Sequence, residues 1–208
     1  MLITTTEARL DVSTGGEGPP VVMLHGWPHT SFVWHEVASR IQGDFTVLAP
    51  NARGIGASRP FDGHDATTRV RDLVGLLDAL EIRHASLVAI DAGVTPAVLA
   101  ALLHPGRIDQ LIVMEGLVAG APGEGGLLDG APPWWFGFHA APDLAEHIVV
   151  GQERTYLEYF LRGPSARHDI GQDAVDEFVE AYRGVEALRA GFGSYRAAAQ
   201  DAEAVRYE

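Results

Sequence analysis

Short apolar runs alternate with segments of helical spacing through the first half of this 208-residue sequence. The apolar runs are Pro20–Leu24, Phe45–Ala49, Ala85–Ile90 and Ile108–Met114. The segments with helical spacing are Phe32–Ile41, Asp65–Leu80 and Val94–Leu103. Because strands that alternate with helices form right-handed βαβ units, the pattern predicts an α/β fold, a mostly parallel sheet with flanking helices.

The second half of the sequence differs, because helical patterns continue there and strand patterns do not. A Gly/Pro-rich stretch over Ala119–Pro133 leads to the aromatic run Trp134–Phe136. Three helical patterns follow, at Glu153–Leu161, Asp173–Arg183 and Glu186–Ala199. We therefore predict two regions, the N-terminal part of an α/β core over residues 1–116 and a helical cap, or lid, over residues 117–208.

Charge and composition limit the partners of the chain. Asp and Glu outnumber Lys and Arg by 28 to 15, and the net charge of −13 disfavours nucleic acid and anionic membranes. No apolar run is long enough to span a bilayer, and the first ten residues lack the apolar stretch of a signal peptide. Cysteine is absent, which excludes disulfides and agrees with the cytoplasmic location that we predict. We predict neither a metal nor a cofactor.

The most informative motif is Ala89–Gly93, where Asp91 follows an apolar strand and precedes an Ala-rich helix. Small residues flank the aspartate, as a tight strand-to-helix turn that presents a nucleophile requires. The helix N-terminus favours an ionised carboxylate at this place. A second interpretation is that Asp91 only caps the helix, which is a common role for aspartate.

A second motif, His25–Pro28, follows the first parallel strand and favours the nucleophile interpretation. In this arrangement an oxyanion hole is formed by the backbone N–H after the nucleophile and by one from the loop after that strand. Those donors are the N–H groups of Ala92 and Trp27. We expect the His25 side chain to be structural, and the indole of Trp27 to pack while its backbone donates.

Together these motifs resemble the epoxide hydrolase branch of the α/β-hydrolases, whose near relatives are the haloalkane and haloacetate dehalogenases. The resemblance rests on the order and spacing of Leu24–Pro28, Ala49–Ser58 and Asp91–Gly93. It extends into the cap, where Pro133–His139 and Ser194–Arg196 resemble the cap domain of this branch. The resemblance therefore covers nearly the whole chain.

The resemblance implies a two-step hydrolysis. The nucleophile Asp91 attacks an sp³ carbon to form an alkyl-enzyme ester, which a His-activated water then hydrolyses. The resemblance makes Tyr195 the donor to the epoxide oxygen, and we assign Trp134, Trp135 and Tyr156 to substrate binding. Indole N–H groups also suit a halide leaving group, so a haloalkane dehalogenase remains an alternative. The substrate is then a small apolar or aromatic epoxide or halide, and the residues just after Asp91 include no arginine for a haloacid carboxylate.

The acid and the histidine of such a site are expected on strands after the cap, and the sequence stops at Glu208. We therefore expect a fragment that does not turn over well on its own, with His139 as the candidate substitute base. The alternatives are a catalytically inactive protein that binds a small molecule or a partner, and a split or dimeric enzyme. Ile108–Met114 would be an exposed sheet edge, which invites a second copy or a complementing chain.

Overall fold

The computed structural model describes residues 1–118, 120, 132–163 and 169–206. Its strands are β1 (Leu2–Thr4), β2 (Arg9–Gly15), β3 (Pro20–Leu24), β4 (Thr46–Pro50), β5 (Ala85–Ile90) and β6 (Ile108–Met114). They form one sheet in the order β1-β2-β4-β3-β5-β6. The pairs β3/β4, β3/β5 and β5/β6 are parallel, whereas β1/β2 and β2/β4 are antiparallel. The predicted, mostly parallel α/β sheet is thus confirmed, with the two N-terminal strands β1 and β2 added to the four predicted apolar runs.

The described residues form eight α-helices. Three accompany the sheet, namely α1 (His35–Ile41), α2 (Ala66–Ala79) and α3 (Val94–Leu103). Five follow it, namely α4 (Trp134–Ala140), α5 (Leu144–Val149), α6 (Glu153–Leu161), α7 (Gln172–Ala181) and α8 (Val185–Arg206). Most of the predicted loop Ala119–Pro133 lies outside the described residues. No helix in the described ranges is long and apolar enough to cross a membrane.

Both faces of the sheet are covered, and the sequence pattern of β5 shows how. Ala85, Leu87 and Ala89 are fully buried in the cluster that includes the apolar stripe of α2. Val88 and Ile90 point to the opposite face and pack against a smaller cluster. A fully buried leucine contributes about 1.5–3 kcal/mol, so these faces hold β5, and the turn after it, in place.

The described helices after the sheet pack over its carboxyl end. Leu157, Val175 and Phe178 form a cluster with Trp27 and Ile55 from the loops that follow β3 and β4. The last turns of α8 return to the core, because Ala204 and Val205 pack against the cluster that contains α2 and α3. The division into core and cap near Gly116 stays a prediction.

The loop after β4 is tied to α2 by a buried ion pair. The Arg53 guanidinium donates to both carboxylate oxygens of Asp72, with Nε 2.8 Å from Oδ2, and both side chains are buried. Hydrogen bonding to Asp72 raises the pKa of Arg53. In the same loop, Asn51 Oδ1 accepts from the Ser31 N–H at 2.7 Å. The Ala49–Ser58 motif therefore holds the loops at the carboxyl end of the sheet in place, through the contacts of Asn51 and Arg53.

Strand β6 lies at one edge of the described sheet and pairs with β5. Ile112, Val113 and Met114 are 50%, 42% and 40% exposed, respectively. An apolar strand with this exposure offers its free edge to another strand.

Candidate active site

Asp91 lies directly after β5 on a tight turn into α3. Its φ angle is 47°, in the left-handed region that residues other than glycine seldom occupy. Such strain is typical of functional turns that lift a side chain above the sheet. A Cβ on Gly93 would lie 2.9 Å from the carbonyl oxygens of Leu24 and His25, and one on Gly116 would lie 2.7 Å from the carbonyl of Asp91. Small residues are therefore required around this turn.

The carboxylate of Asp91 is held by the loop after β3. Its Oδ1 accepts a hydrogen bond from the backbone N–H of Trp27 at 2.7 Å. No side-chain cap bond from Asp91 is found at the start of α3, whose N-cap is Gly93. The side chain thus bonds across to a second loop rather than capping its own helix, and the Trp27 N–H points at the Asp91 carboxylate.

The loop that carries Trp27 is fixed by His25. Its ring Nε2 accepts from the Ala52 N–H at 2.9 Å, which leaves Nδ1–H to donate to the Gly26 carbonyl at 2.8 Å. Burial lowers the pKa of His25 to about 3, so the ring stays neutral and keeps this pattern. The expected structural role of His25 agrees with these contacts.

A cavity of about 380 Å³ opens above Asp91. Its lining consists of Arg69, Asp91, Ala92, Thr95, Glu115, Gly116, Leu117, Trp135, Phe136, Ser194, Tyr195, Ala198 and Asp201. The wall opposite the sheet is aromatic and comes from α4 and α8. The volume and the mixed lining suit a small organic molecule with one apolar side.

The predicted substrate-binding residues have different places. Trp135 and Tyr195 line the cavity, and burial raises the pKa of Tyr195, which keeps its hydroxyl protonated and able to donate. Trp134 is 55% exposed, and the Tyr156 hydroxyl lies 2.6 Å from Nε2 of His139. Neither Trp134 nor Tyr156 belongs to the lining of this cavity.

Glu115 is a cavity residue that our sequence reasoning missed. Strands β5 and β6 pair with Ile90 opposite Met114, so Asp91 and Glu115 leave the sheet side by side. Glu115 also has a positive φ, 50°. The available signal was its place directly after the last apolar strand, because parallel strands bring their carboxyl ends to one edge.

The cavity lining contains none of the histidines that the structure describes. His139, the substitute base considered above, is fully buried and stacked on Phe192 with ring centroids 4.3 Å apart. Burial lowers its pKa to about 3, so it is a weak base. His29 is half-buried; burial lowers its pKa and the charge of Asp91 opposes that shift.

Two further charged residues meet at the cavity from distant parts of the chain. Arg69 on α2 donates from Nη1 to the carbonyl oxygen of Ala92 at 2.7 Å. Asp201 on α8 accepts the Ala66 N–H at 2.7 Å, and burial raises the pKa of Asp201 to about 6. These contacts join α2 and α8 to the turn that carries Asp91.

Comparison with known proteins agrees with this geometry. A family model for the alpha/beta hydrolase fold matches residues 19–169. Over 109 residues the chain is 41% identical to an epoxide hydrolase of Caballeronia sordidicola, covering 50% of this chain and 33% of the relative. Over 105 residues it is 36% identical to a haloalkane dehalogenase of Mesorhizobium japonicum, covering 50% of this chain and 34% of the relative. The match thus spans about a third of the length of these curated relatives.

Solved structures match over a larger share of the chain. The crystal structure of Cfl2 from Burkholderia cenocepacia has a TM-score of 0.88 and 30% sequence identity to this chain. The superposition covers 99% of this chain and 73% of that structure, so the similarity includes the helices that follow the sheet.

Proposed function

The chain belongs to the alpha/beta hydrolase fold family, and from that premise we propose that Asp91 opens epoxides of small apolar or aromatic molecules. The observation that carries the proposal is the strained turn of Asp91 with the Trp27 N–H at 2.7 Å from its carboxylate, beneath a cavity. The similarity of the chain to an epoxide hydrolase and a haloalkane dehalogenase supports the same chemistry.

In the first proposed step, the carboxylate oxygen of Asp91 that faces the cavity forms a bond to an epoxide carbon. The carbon–oxygen bond of the ring breaks, and the oxygen takes the hydroxyl proton of Tyr195. The product is an ester between Asp91 and the substrate. Trp135 and Phe136 supply apolar wall for the rest of the molecule.

In the second proposed step, water attacks the carbonyl carbon of that ester and gives one proton to a general base, while the N–H groups of Trp27 and Ala92 stabilise the resulting oxyanion. The bond between that carbon and the substrate oxygen then breaks, and the diol leaves with the proton of the Asp91 carboxylic acid. The proton on the base returns to Tyr195, which restores the site. This step needs a general base, and the described cavity lining holds no histidine. Glu115 follows the nucleophile in the chain, as the acid of such a site does, and lies beside it. We therefore assign Glu115 the role of orienting the base.

A second candidate reaction is the displacement of halide from a haloalkane. Trp135 lines the cavity, and its indole N–H is a suitable donor to a departing halide. Asp91 would form the same ester, so the two functions differ only in the leaving group.

The experiment is intact-mass analysis after incubation with styrene oxide, followed by peptide mapping. We expect ester formation at Asp91, or diol release if the ester is hydrolysed, and neither in Asp91→Asn. Asp44→Asn, a surface carboxylate, is the matched control and should behave as the wild type. A folded wild type that gives neither ester nor diol would refute the role of Asp91. Release of chloride from a chloroalkane, without reaction of the epoxide, would favour the dehalogenase.

We also propose that the exposed edge of β6 pairs with another strand, from a second copy or from a complementing chain. The support is the exposure of Ile112, Val113 and Met114 on a strand that bonds to β5 along one side. Light scattering coupled to gel filtration tests this, and a monodisperse monomer at high concentration would contradict pairing between copies. The cytoplasmic location stays a prediction.

A further inference from the structure

Arg69 places a guanidinium group at the cavity of Asp91, and only one of its N–H groups has a hydrogen-bond acceptor among the described residues. Its Nη1 donates to the Ala92 carbonyl, and among the described residues its side chain forms no ion pair. Burial lowers the pKa of Arg69, while the charge of Asp201 opposes that shift more than any other carboxylate does. The remaining N–H groups are thus available to an acceptor in the cavity.

Asp201 provides an acceptor at the same end of the cavity. One oxygen, Oδ1, accepts from the Ala66 N–H, and within the described part of the chain Oδ2 has no hydrogen-bond partner. Asp201 is only 7% exposed and lines the cavity, so an acceptor oxygen is available there. A half-buried donor and a buried acceptor therefore face one space without bonding to each other.

The charges at this end restrict what can bind there. A carboxylate would meet the donors of Arg69 but also the negative charges of Asp91, Glu115 and Asp201, which line the same cavity. An ammonium group would meet Arg69. A neutral group that carries both an acceptor and a donor satisfies Arg69 and Asp201 at once, and a primary carboxamide has this composition.

We propose that Arg69 and Asp201 form a subsite for a carboxamide group on the substrate. Its carbonyl oxygen accepts from the Arg69 guanidinium, its N–H₂ donates to Asp201, and its apolar part lies against Trp135 and Phe136. That the bound molecule is a substrate rests on the proposed function, but binding at the subsite needs no reaction at Asp91.

The test uses unreactive probes, so that it is independent of the chemistry. Toluene, benzamide and benzoate are titrated into the chain near pH 8, and binding is followed by tryptophan fluorescence. We expect benzamide to bind about tenfold more tightly than toluene, since one charge-assisted hydrogen bond contributes roughly this factor. Equal binding of benzamide and toluene by the folded wild type would overturn the proposal.

Three variants sharpen the test. Arg69→Met should lose the preference for benzamide and keep the affinity for toluene, whereas Arg71→Met, on the same helix with a half-exposed side chain, should keep both. Asp201→Asn retains an oxygen for the Ala66 N–H and removes one negative charge, so it should shift the preference from benzamide towards benzoate. An unchanged preference in both Arg69→Met and Asp201→Asn would refute the subsite.

Failure of the two proposals can be told apart. If benzamide binds preferentially but styrene oxide gives neither ester nor diol, the subsite stands and the role of Asp91 fails. If styrene oxide reacts at Asp91 and benzamide shows no preference, the reverse holds.

Discussion

Replacing Gly26 by alanine tests how closely the loop after β3 is pressed against Asp91. A Cβ at position 26 would overlap the Cβ and Oδ1 of Asp91 and lie 2.7 Å from Cγ. The Asp91 side chain would have to leave its place, and the Trp27 N–H at 2.7 Å would lose its acceptor. Overpacking of this kind costs about 1–3 kcal/mol, and a hydrogen bond to a charged group contributes about 1.5–3 kcal/mol.

We therefore expect Gly26→Ala to lower the free energy of unfolding by about 2–4 kcal/mol. We also expect ester formation at Asp91 to slow at least about tenfold, which corresponds to 1.4 kcal/mol in the barrier. Urea unfolding and the rate of mass gain with styrene oxide measure the two effects. Gly43→Ala is the control, because a Cβ there meets nothing within 4 Å. If Gly26→Ala reacts and unfolds like Gly43→Ala, the contact between this loop and Asp91 is not as described.

Two further predictions concern the charges that support the site. Arg53→Met leaves the buried Asp72 carboxylate without its partner and should cost about 3–5 kcal/mol in urea unfolding, whereas Arg53→Met/Asp72→Leu should recover much of that loss; a single variant as stable as the double would contradict this. Burial raises the pKa of Asp201 to about 6, and the negative charge of Asp65 adds to this rise. The hydrogen bond from the Ala66 N–H and the positive charge of Arg69 partly offset it. The stability that protonated Asp201 contributes is therefore complete below about pH 4 and lost as the pH rises through 6, so Asp201→Asn should gain about 1–2 kcal/mol relative to wild type between pH 4 and 7. A stability difference that stays flat over this range would show that Asp201 does not titrate in this way.

The turn at Asp91 could be predicted from sequence because it is a local pattern, and its closeness to the loop of Trp27 follows from the predicted parallel strands. A tight turn needs small neighbours, and the order of strands places both loops at one end of the sheet. Glu115 needed more than a local pattern. Its place beside Asp91 depends on the pairing of Ile90 with Met114, which is a matter of register between strands.

For the helices after the sheet, the sequence does not predict which aromatic residue lines the cavity. Successive residues on a helix point about 100° apart, so Trp134 and Trp135 have different surroundings: Trp135 lines the cavity and Trp134 is 55% exposed. The sequence alone does not say which of the two enters the cavity. On α8, by contrast, one face of the helix lines the cavity, and it carries Ser194, Ala198 and Asp201 at helical spacing. That spacing was visible in the sequence. Arg69, however, lies on α2, and only the packing of α2 against α8 brings Arg69 and Asp201 to the same cavity.

The position of Arg69 also bears on the proposed attack by the Asp91 carboxylate. A guanidinium bonded directly to a carboxylate stabilises the negative charge but occupies the oxygens that would attack. Arg69 donates instead to the carbonyl of Ala92, one residue beyond Asp91, so its charge acts on the turn without binding the carboxylate. The Trp27 N–H takes one oxygen of Asp91, and in the described part of the chain the other has no protein donor. An arrangement that supplies positive charge nearby, fixes one oxygen and leaves the second facing the cavity is the one that the proposed attack on carbon requires.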